Sequence, residues 1–498
     1  MPALRITTTE RRLLWCFLAI LFALRVALIF HAPLTDTTEA RYAEIARKMV
    51  ETGNWVTPQF DYGVPFWGKP VLSTWVSAAG IRVFGANEFG ARIFILCTAI
   101  GILALVHQWV KRWRGADQAL VGIAILSSTA MFYLAAAAVM TDLVMIAGTT
   151  LAMVAFWNAM RAAGRRLWGF LFFTGLAVGL LAKGPVALIL TAMPVGAWVL
   201  VRNQWRDAWR RLPWITGSLL TFALAAPWYA LAEMRTPGFL HYFLYGEHIQ
   251  RFLVSGWTGD LYGRAHSEPT GMIWIYWLAS SLPWSLVFVA ALFRPRRAAR
   301  AVFRSADDLP FYLLLWLLAP VVFFTPAHNI IPTYAMTGLA AGALLVPELR
   351  GVFAAVPVVP GRAGRRFFAG ASAVSLTVFA GGLVLFGSFP ERTPKRSEKL
   401  VVEDALGSDS GASLYYWKRR VYSAEFYSGG TVRTLETDED LRRLLSNDSR
   451  DFLAIYPGHL NKLPDWFLRS FVPLSRHHRT VLLGEVRAAP ELPQTVSK

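Results

Sequence analysis

Apolar runs of about 16 to 24 residues recur along the chain, separated by short basic clusters, and this recurrence limits the possible folds more than any other feature. A helix needs roughly 20 apolar residues to cross the hydrocarbon core of a bilayer. Such runs lie at about 13–31, 91–110, 117–137, 140–160, 167–182, 185–201, 213–231, 271–293, 310–325, 332–348 and 367–388. With 55% hydrophobic and 16% charged residues among 498, and a mean hydropathy of +0.41, the chain lacks the polar surface of a soluble protein this long. The expected fold class is an all-α polytopic membrane protein with about eleven spans and room for up to thirteen.

The charges orient these spans. Basic clusters near 5–12, 111–114, 161–166, 202–211, 294–304 and 350–366 alternate with turns near 138, 184 and 328 that hold only Lys183. The positive-inside rule then puts the N-terminus in the cytoplasm and the C-terminus outside. It also accounts for the net charge of +18, so no nucleic-acid partner is expected. Arg5, Arg11 and Arg12 precede an apolar run with no small-residue cleavage site directly after it, which reads as an uncleaved first span. Cys16 and Cys97 lie within apolar runs and are expected in the core, with no disulfide or thiolate metal site.

Three outside segments are long: 32–90, 232–270 and the tail from 389. Residues 1–388 are therefore expected to form the membrane domain and 389–498 a small soluble α/β domain. The first loop should hold two short interfacial helices, with Trp55, Phe60, Tyr62, Phe66, Trp67 and Trp75 at the membrane surface. In the tail, SLYYWK, SAEFYSG, TVRTL, FLAIYP and VLLGEV read as strands, and DEDLRRLLS and NKLPDWFL as helices. No internal repeat, P-loop, GxGxxG after a strand, HExxH or GxSxG is present, so ATP-driven transport and nicotinamide chemistry have no residues to support them.

Ionisable residues that interrupt or flank apolar runs are the candidates for chemistry. Asp36 and Glu39 open a helix in LTDTTEARYAEIARKMVETGNWVTP, where D-T-T-E also has the spacing of a capping box. Lys69 in FWGKPVLSTWV is placed to meet a phosphate or to snorkel at the interface. Asp142 in MTDLVM sits near the outer end of an uncharged stretch, where it can also cap a helix. Lys183 in LAKGPVAL occupies a tight turn whose glycine and proline are explained by turn chemistry and whose lysine is not. YFLYGEHIQRF adds Glu247, His248 and Arg251, with His241 and His266 nearby; His328 reads as a solvated loop histidine. All these fall on the outer face.

These stretches, with FGANEFGARI, APWY and IPTYAM, resemble in order and spacing the polyprenyl-phosphate-sugar-dependent membrane glycosyltransferases of the GT-C fold, specifically those similar to lipid A aminoarabinose transferases and protein mannosyltransferases. The match covers about the first 255 residues, and IPTYAM near 332 extends it. The resemblance implies a glycosyltransferase, hexosyl or pentosyl, that moves a sugar from a polyprenyl-phosphate donor to a lipid A, envelope-glycan or protein acceptor. The site would face the periplasm from a bacterial cytoplasmic membrane. It implies catalytic carboxylates at Asp36, preferred, or Glu39, and a donor pocket of Tyr42, Lys69, Lys183 and Arg251. Arg41, Asp142, Glu247, His248 and Tyr334 would shape the site or bind the acceptor.

Three departures stand out. The family pattern P-D-E-x-R-Y places its aspartate on Thr38, the glutamate before the pocket lysine is Gly68, and a lysine-containing segment before L-P-T-Y is replaced by HNIIPTY. No cofactor is required on this reading, with a divalent cation as the one candidate. The rival reading is a transporter or flippase for a lipid-linked sugar, which would place charges near the membrane midplane in symmetric halves.

Overall fold

Every apolar run read from the sequence is helical in the computed structural model, which describes residues 4–161, 166–263, 266–305, 307–352, 362–388, 397–407, 411–446, 450–477 and 479–486. The basic clusters at 161–166 and 350–366, and the 388/389 domain boundary, fall partly outside those residues. In chain order the first helices are α1 (Thr8–His31), α2 (Thr38–Thr52), α3 (Leu72–Phe84), α4 (Glu88–Arg114), α5 (Ala116–Ser128), α6 (Ala130–Ala135), α7 (Asp142–Arg161), α8 (Arg166–Lys183), α9 (Val186–Val201), α10 (Trp205–Arg211) and α11 (Trp214–Arg235). Among the described residues six helices are long and apolar enough to cross a membrane: α1, α4, α7, α8, α11 and the stretch Phe368–Leu385. α5, α9 and Leu309–Phe324 are apolar but shorter.

Three of the expected runs are broken rather than continuous. The run at 117–137 divides between α5 and α6, where Ser128 and Thr129 turn their hydroxyls back onto the Ala124 and Ile125 carbonyls. The run at 271–293 divides into Met272–Ser280 and Ser285–Leu292 around Pro283, which has no N–H to donate. The run at 332–348 starts as a 3₁₀ turn, Pro332–Gly338, before becoming α-helical at Leu339.

Close approach of small residues joins the bundle. A Cβ on Gly148 of α7 would lie 2.7 Å from the Gly175 carbonyl oxygen of α8, so the two backbones touch there. Both cysteines, expected inside, lie on outward-facing helix surfaces. An apolar face turned toward lipid is as hydrophobic as a core, so composition alone does not separate the two.

α4 defines the two ends of the bundle, because its 27 residues span roughly 40 Å. At its N-terminal end Glu88 pairs with Lys399 of the tail at 2.8 Å, whereas at its C-terminal end Arg114 pairs with Asp307 and Glu348. The first loop and the tail therefore share one end, and the basic network occupies the other.

The first loop folds as α2, a hairpin of β1 (Gln59–Asp61) and β2 (Val64–Pro65), and α3. α2 stops at Gly53, whose φ of +66° suits a left-handed helix end. Its buried face includes Glu44, Arg47 and Lys48. Most of the aromatics expected at an interface are used as packing instead: Phe66 is buried, Trp75 Nε1 donates to the Trp55 carbonyl at 2.7 Å, and only Tyr62 is well exposed.

The tail covers this loop. Its strands are β3 (Ser413–Trp417), β4 (Arg433–Leu435), β5 (Asp451–Ile455), β6 (Phe471–His477) and β7 (Thr480–Glu485), ordered β4-β3-β5-β7-β6. β4, β3 and β5 run parallel, while β7 pairs antiparallel with β5 and β6. SAEFYSG, expected as a strand, is the helix Tyr422–Tyr427. Its Tyr422, Ala424 and Phe426 gave the alternation of a strand, but the segment is wedged between α2 and the sheet, and Glu425 is buried as well. β6 and the helix Lys399–Gly407 were not anticipated.

Candidate functional site

Side chains distant in sequence converge at the loop end of the bundle. Lys69 lies just before α3, Lys183 ends α8, and Glu247 and His248 sit on a π-helical stretch, His241–Gln250. π-helical turns widen the backbone and are frequent at functional sites. Together with Arg251, Asn329 and Tyr334 they line a cavity of about 330 Å³. The rest of its wall is apolar and includes Ile189, Leu190, Leu244, Phe252, Phe323 and Phe324.

Glu247 is the hub of the polar wall. Its carboxylate meets Lys69 Nζ at 2.8 Å and Arg251 Nη1 at 3.0 Å, and it accepts the Tyr242 hydroxyl at 3.2 Å. Burial alone would raise its pKa, but Lys69 and Arg251 hold it down at about 2. Arg251 also reaches Asp260 at 3.4 Å, and although burial opposes its charge, Glu247 keeps its pKa above the ordinary value.

Across the cavity Lys183 Nζ pairs with Asp142 at 2.5 Å and lies 4.6 Å over the Tyr334 ring. Burial lowers the His248 pKa, and its Nδ1 lies 2.7 Å from the Phe243 carbonyl oxygen. Gly184, at φ +94°, lets the α8–α9 turn pass under this histidine; a Cβ there would sit 2.5 Å from the Phe243 ring and 3.0 Å from His248 Nε2.

The two carboxylates singled out in the first loop stand apart from this lining. Asp36 does not cap α2, whose N-cap is Thr37 with no side-chain cap bond. Its Oδ1 accepts the Ser423 backbone N–H at 3.1 Å, and its Oδ2 accepts the Ser423 hydroxyl. Burial raises its pKa against these bonds. Glu39 does not reach back to a cap either; it accepts Arg92 Nε at 2.8 Å and the Thr35 hydroxyl and N–H at 3.3 Å. The capping spacing is thus present without the cap, because tertiary partners outcompete it.

An aromatic seam runs between these acids and the cavity. Tyr422 packs on Phe60, Phe60 on Phe66 and Tyr262, and Tyr262 on Tyr242, the partner of Glu247. Tyr42 packs edge-on against Phe66, and Arg41 donates to the Tyr262 carbonyl at 2.6 Å. Arg41, Tyr42 and Asp142 therefore support the lining without forming it. His241 and His266 are exposed, and His328, read as solvated, is half-buried with Nδ1 at 2.9 Å from the Glu268 carbonyl oxygen.

Sequence reading missed Asn329, Tyr242 and Asp260. Asn329 stands beside the H-N-I-I-P-T-Y departure, and its buried side-chain nitrogen has no partner. Among the described residues no three His, Cys, Asp or Glu side chains group as a metal site.

Residues 12–243 match the dolichyl-phosphate-mannose-protein mannosyltransferase family model. The undecaprenyl phosphate-α-4-amino-4-deoxy-L-arabinose arabinosyl transferase of Erwinia tasmaniensis is 31% identical over 344 residues, 66% of this chain and 58% of that protein. The Pseudomonas aeruginosa (strain UCBPP-PA14) protein of the same name is 31% identical over 353 residues, 68% and 59% of the two chains. The chain thus matches somewhat under two thirds of the length of these curated relatives. The crystal structure of ArnT from Cupriavidus metallidurans bound to undecaprenyl phosphate superposes with a TM-score of 0.75 at 18% identity, covering 96% of this chain and 99% of that one. Beyond its mostly helical architecture, the chain thus shares the fold of that protein and is similar in sequence to the polyprenyl-phosphate-sugar-dependent membrane glycosyltransferases indicated by its first loop.

Proposed function

We propose that the protein transfers a sugar from a polyprenyl-phosphate donor to a lipid A, envelope-glycan or protein acceptor, at the periplasmic face of a bacterial cytoplasmic membrane. The observation that carries this reading is the cavity itself: Lys69, Lys183, Arg251 and Tyr334 line it together with aliphatic and aromatic side chains. Such a pocket suits an anionic headgroup on a prenyl chain. On this proposal residues 1–388 form a membrane domain of about eleven spans, and the tail is an external α/β domain that closes over the first loop.

The chemistry is a single displacement with inversion. Asp36 takes the acceptor hydroxyl proton, the acceptor oxygen bonds to the anomeric carbon, and the bond from that carbon to the phosphate oxygen breaks. Lys69 and Arg251 stabilise the charge that develops on the departing lipid phosphate. Asp36 is preferred over Glu39 because burial raises its basicity and it is held by a serine, whereas Glu39 is in an ion pair with Arg92. The mechanism calls on no metal; EDTA treatment of the purified protein tests for a divalent cation.

Mass spectrometry of lipid A and envelope glycoproteins from a deletion strain tests the proposal. Wild type is expected to restore a sugar-sized mass that Asp36→Ala and Lys69→Ala, present at equal membrane levels, do not. Identical profiles for deletion and wild type refute it and make translocation of a lipid-linked sugar the reading to pursue.

A further inference from the structure

We infer that a groove on the outside of the bundle, remote from the Lys69 cavity, holds a second lipid: an anionic bilayer phospholipid whose phosphodiester headgroup rests on Arg25. The groove encloses about 210 Å³ between α1, α4, α5 and α6, and Arg25, Ser127 and Tyr133 line it among apolar residues. α1 is long and apolar enough to cross a membrane. Arg25 lies six residues before its end at His31, about 9 Å along the axis.

Arg25 is 8% exposed, and no ion pair among the described residues includes it. Its Nη2 donates to the Leu134 carbonyl at 2.5 Å, its guanidinium lies 5.2 Å from the Tyr133 ring centroid, and its Nε has no partner. The Ser127 and Tyr133 hydroxyls are also buried and unpartnered. Tyr133 is fixed in place by Phe379, stacked at 3.6 Å. One turn above, Glu39 is in an ion pair with Arg92 at 2.8 Å and reaches Arg25 only through its longer-range charge.

A lone arginine at membrane depth is costly unless an anion joins it. Three unpaired donors around one groove point to an oxygen-rich anion, and the net charge selects which one. A single guanidinium balances a phosphodiester's single negative charge, whereas a phosphomonoester such as a released polyprenyl phosphate carries close to two charges and would leave one unbalanced in this groove. Trp15, Phe22 and Ile100 on the rim are 52%, 50% and 42% exposed and give an acyl chain access from the bilayer.

Native mass spectrometry of the full chain, released from detergent with equimolar phosphatidylglycerol and phosphatidylcholine, tests this. Wild type should retain one phosphatidylglycerol at least fivefold over phosphatidylcholine. Arg25→Met should abolish the preference, Arg25→Lys should weaken it, and Lys69→Met should leave it unchanged. Ile100→Trp fills the rim with the charge intact, so it should also abolish retention even if Arg25→Met folds poorly. Equal retention by wild type and Ile100→Trp, or no lipid preference in wild type, overturns the site. Displacement of phosphatidylglycerol from wild type by one equivalent of undecaprenyl phosphate overturns the assigned occupant.

Discussion

Replacing Lys69 with methionine should strand the Glu247 carboxylate, and the size of the effect follows from that group. Its side chain is 2% exposed, and Lys69 and Arg251 together hold it at about 2 against an ordinary 4.5. The difference, 4.5 − 2, is about 2.5 pH units, or roughly 3 kcal/mol in favour of the ionised folded state after burial has been overcome. Lys69, at 2.8 Å, is the stronger of the two cations, so its loss should cost on the order of 2–4 kcal/mol at pH 7.

The sign with pH is fixed. Because the folded pKa is depressed, the stability from Glu247 is fully present above its ordinary value and is lost as pH falls toward 2. In Lys69→Met the carboxyl pKa rises, so the deficit relative to wild type should be largest at pH 7 and shrink as pH falls through 4.5. Thermal melting of detergent-purified protein at several pH values measures this. The double variant Lys69→Met/Glu247→Gln should recover most of the loss while remaining inactive. A single variant that melts with wild type at pH 7, or a double variant no more stable than the single, refutes the reasoning.

Asp36→Asn should slow transfer by about 10²- to 10⁴-fold with folding intact, as a membrane-based transfer assay would read. With Asp36 as the base, activity should fall as pH drops through its raised pKa, and Ser423→Ala, which removes a hydrogen bond to the carboxylate, should move that limb to higher pH. Arg92→Leu should cost about 3–5 kcal/mol by leaving the Glu39 carboxylate unpaired, measurable as a lower melting temperature and partly reversed by Glu39→Gln. Gly184→Ala should push Phe243 and His248 out of place, raise the donor Kd about tenfold, roughly 1.4 kcal/mol, and lower the melting temperature as well, because alanine is strained at a φ of +94°.

Much of the cavity was legible because a membrane chain makes ionisable residues scarce. Lys69, Lys183, Glu247, His248 and Arg251 stand at the ends of apolar runs or in the loops between them, and five such residues on one lining follow from topology as much as from any motif, whereas Tyr334 was reached only through the resemblance carried by IPTYAM. The helices were legible for the same reason, since long apolar runs have few alternatives to helix in lipid. The first loop was not. Its D-T-T-E spacing is that of a cap, but the partners that displace the cap, Arg92 and Ser423, lie 53 and 387 residues away. The alternation of Tyr422, Ala424 and Phe426 likewise signalled a strand, because local periodicity does not report that both faces of a segment are covered.

The contact between Asp36 and Ser423 has a consequence for how the protein is made. The acid leaves the ribosome 387 residues ahead of its partner, about 20 to 80 s at ordinary synthesis rates. During that interval the spans can insert while the first loop has neither its serine nor the Glu425 partner of Lys48. The acid is thus unfinished until the tail folds back over the first loop. A nascent protein assembled in this order gains a covered first loop only after the tail is made, and a chain interrupted before the tail would present a bundle without that cover.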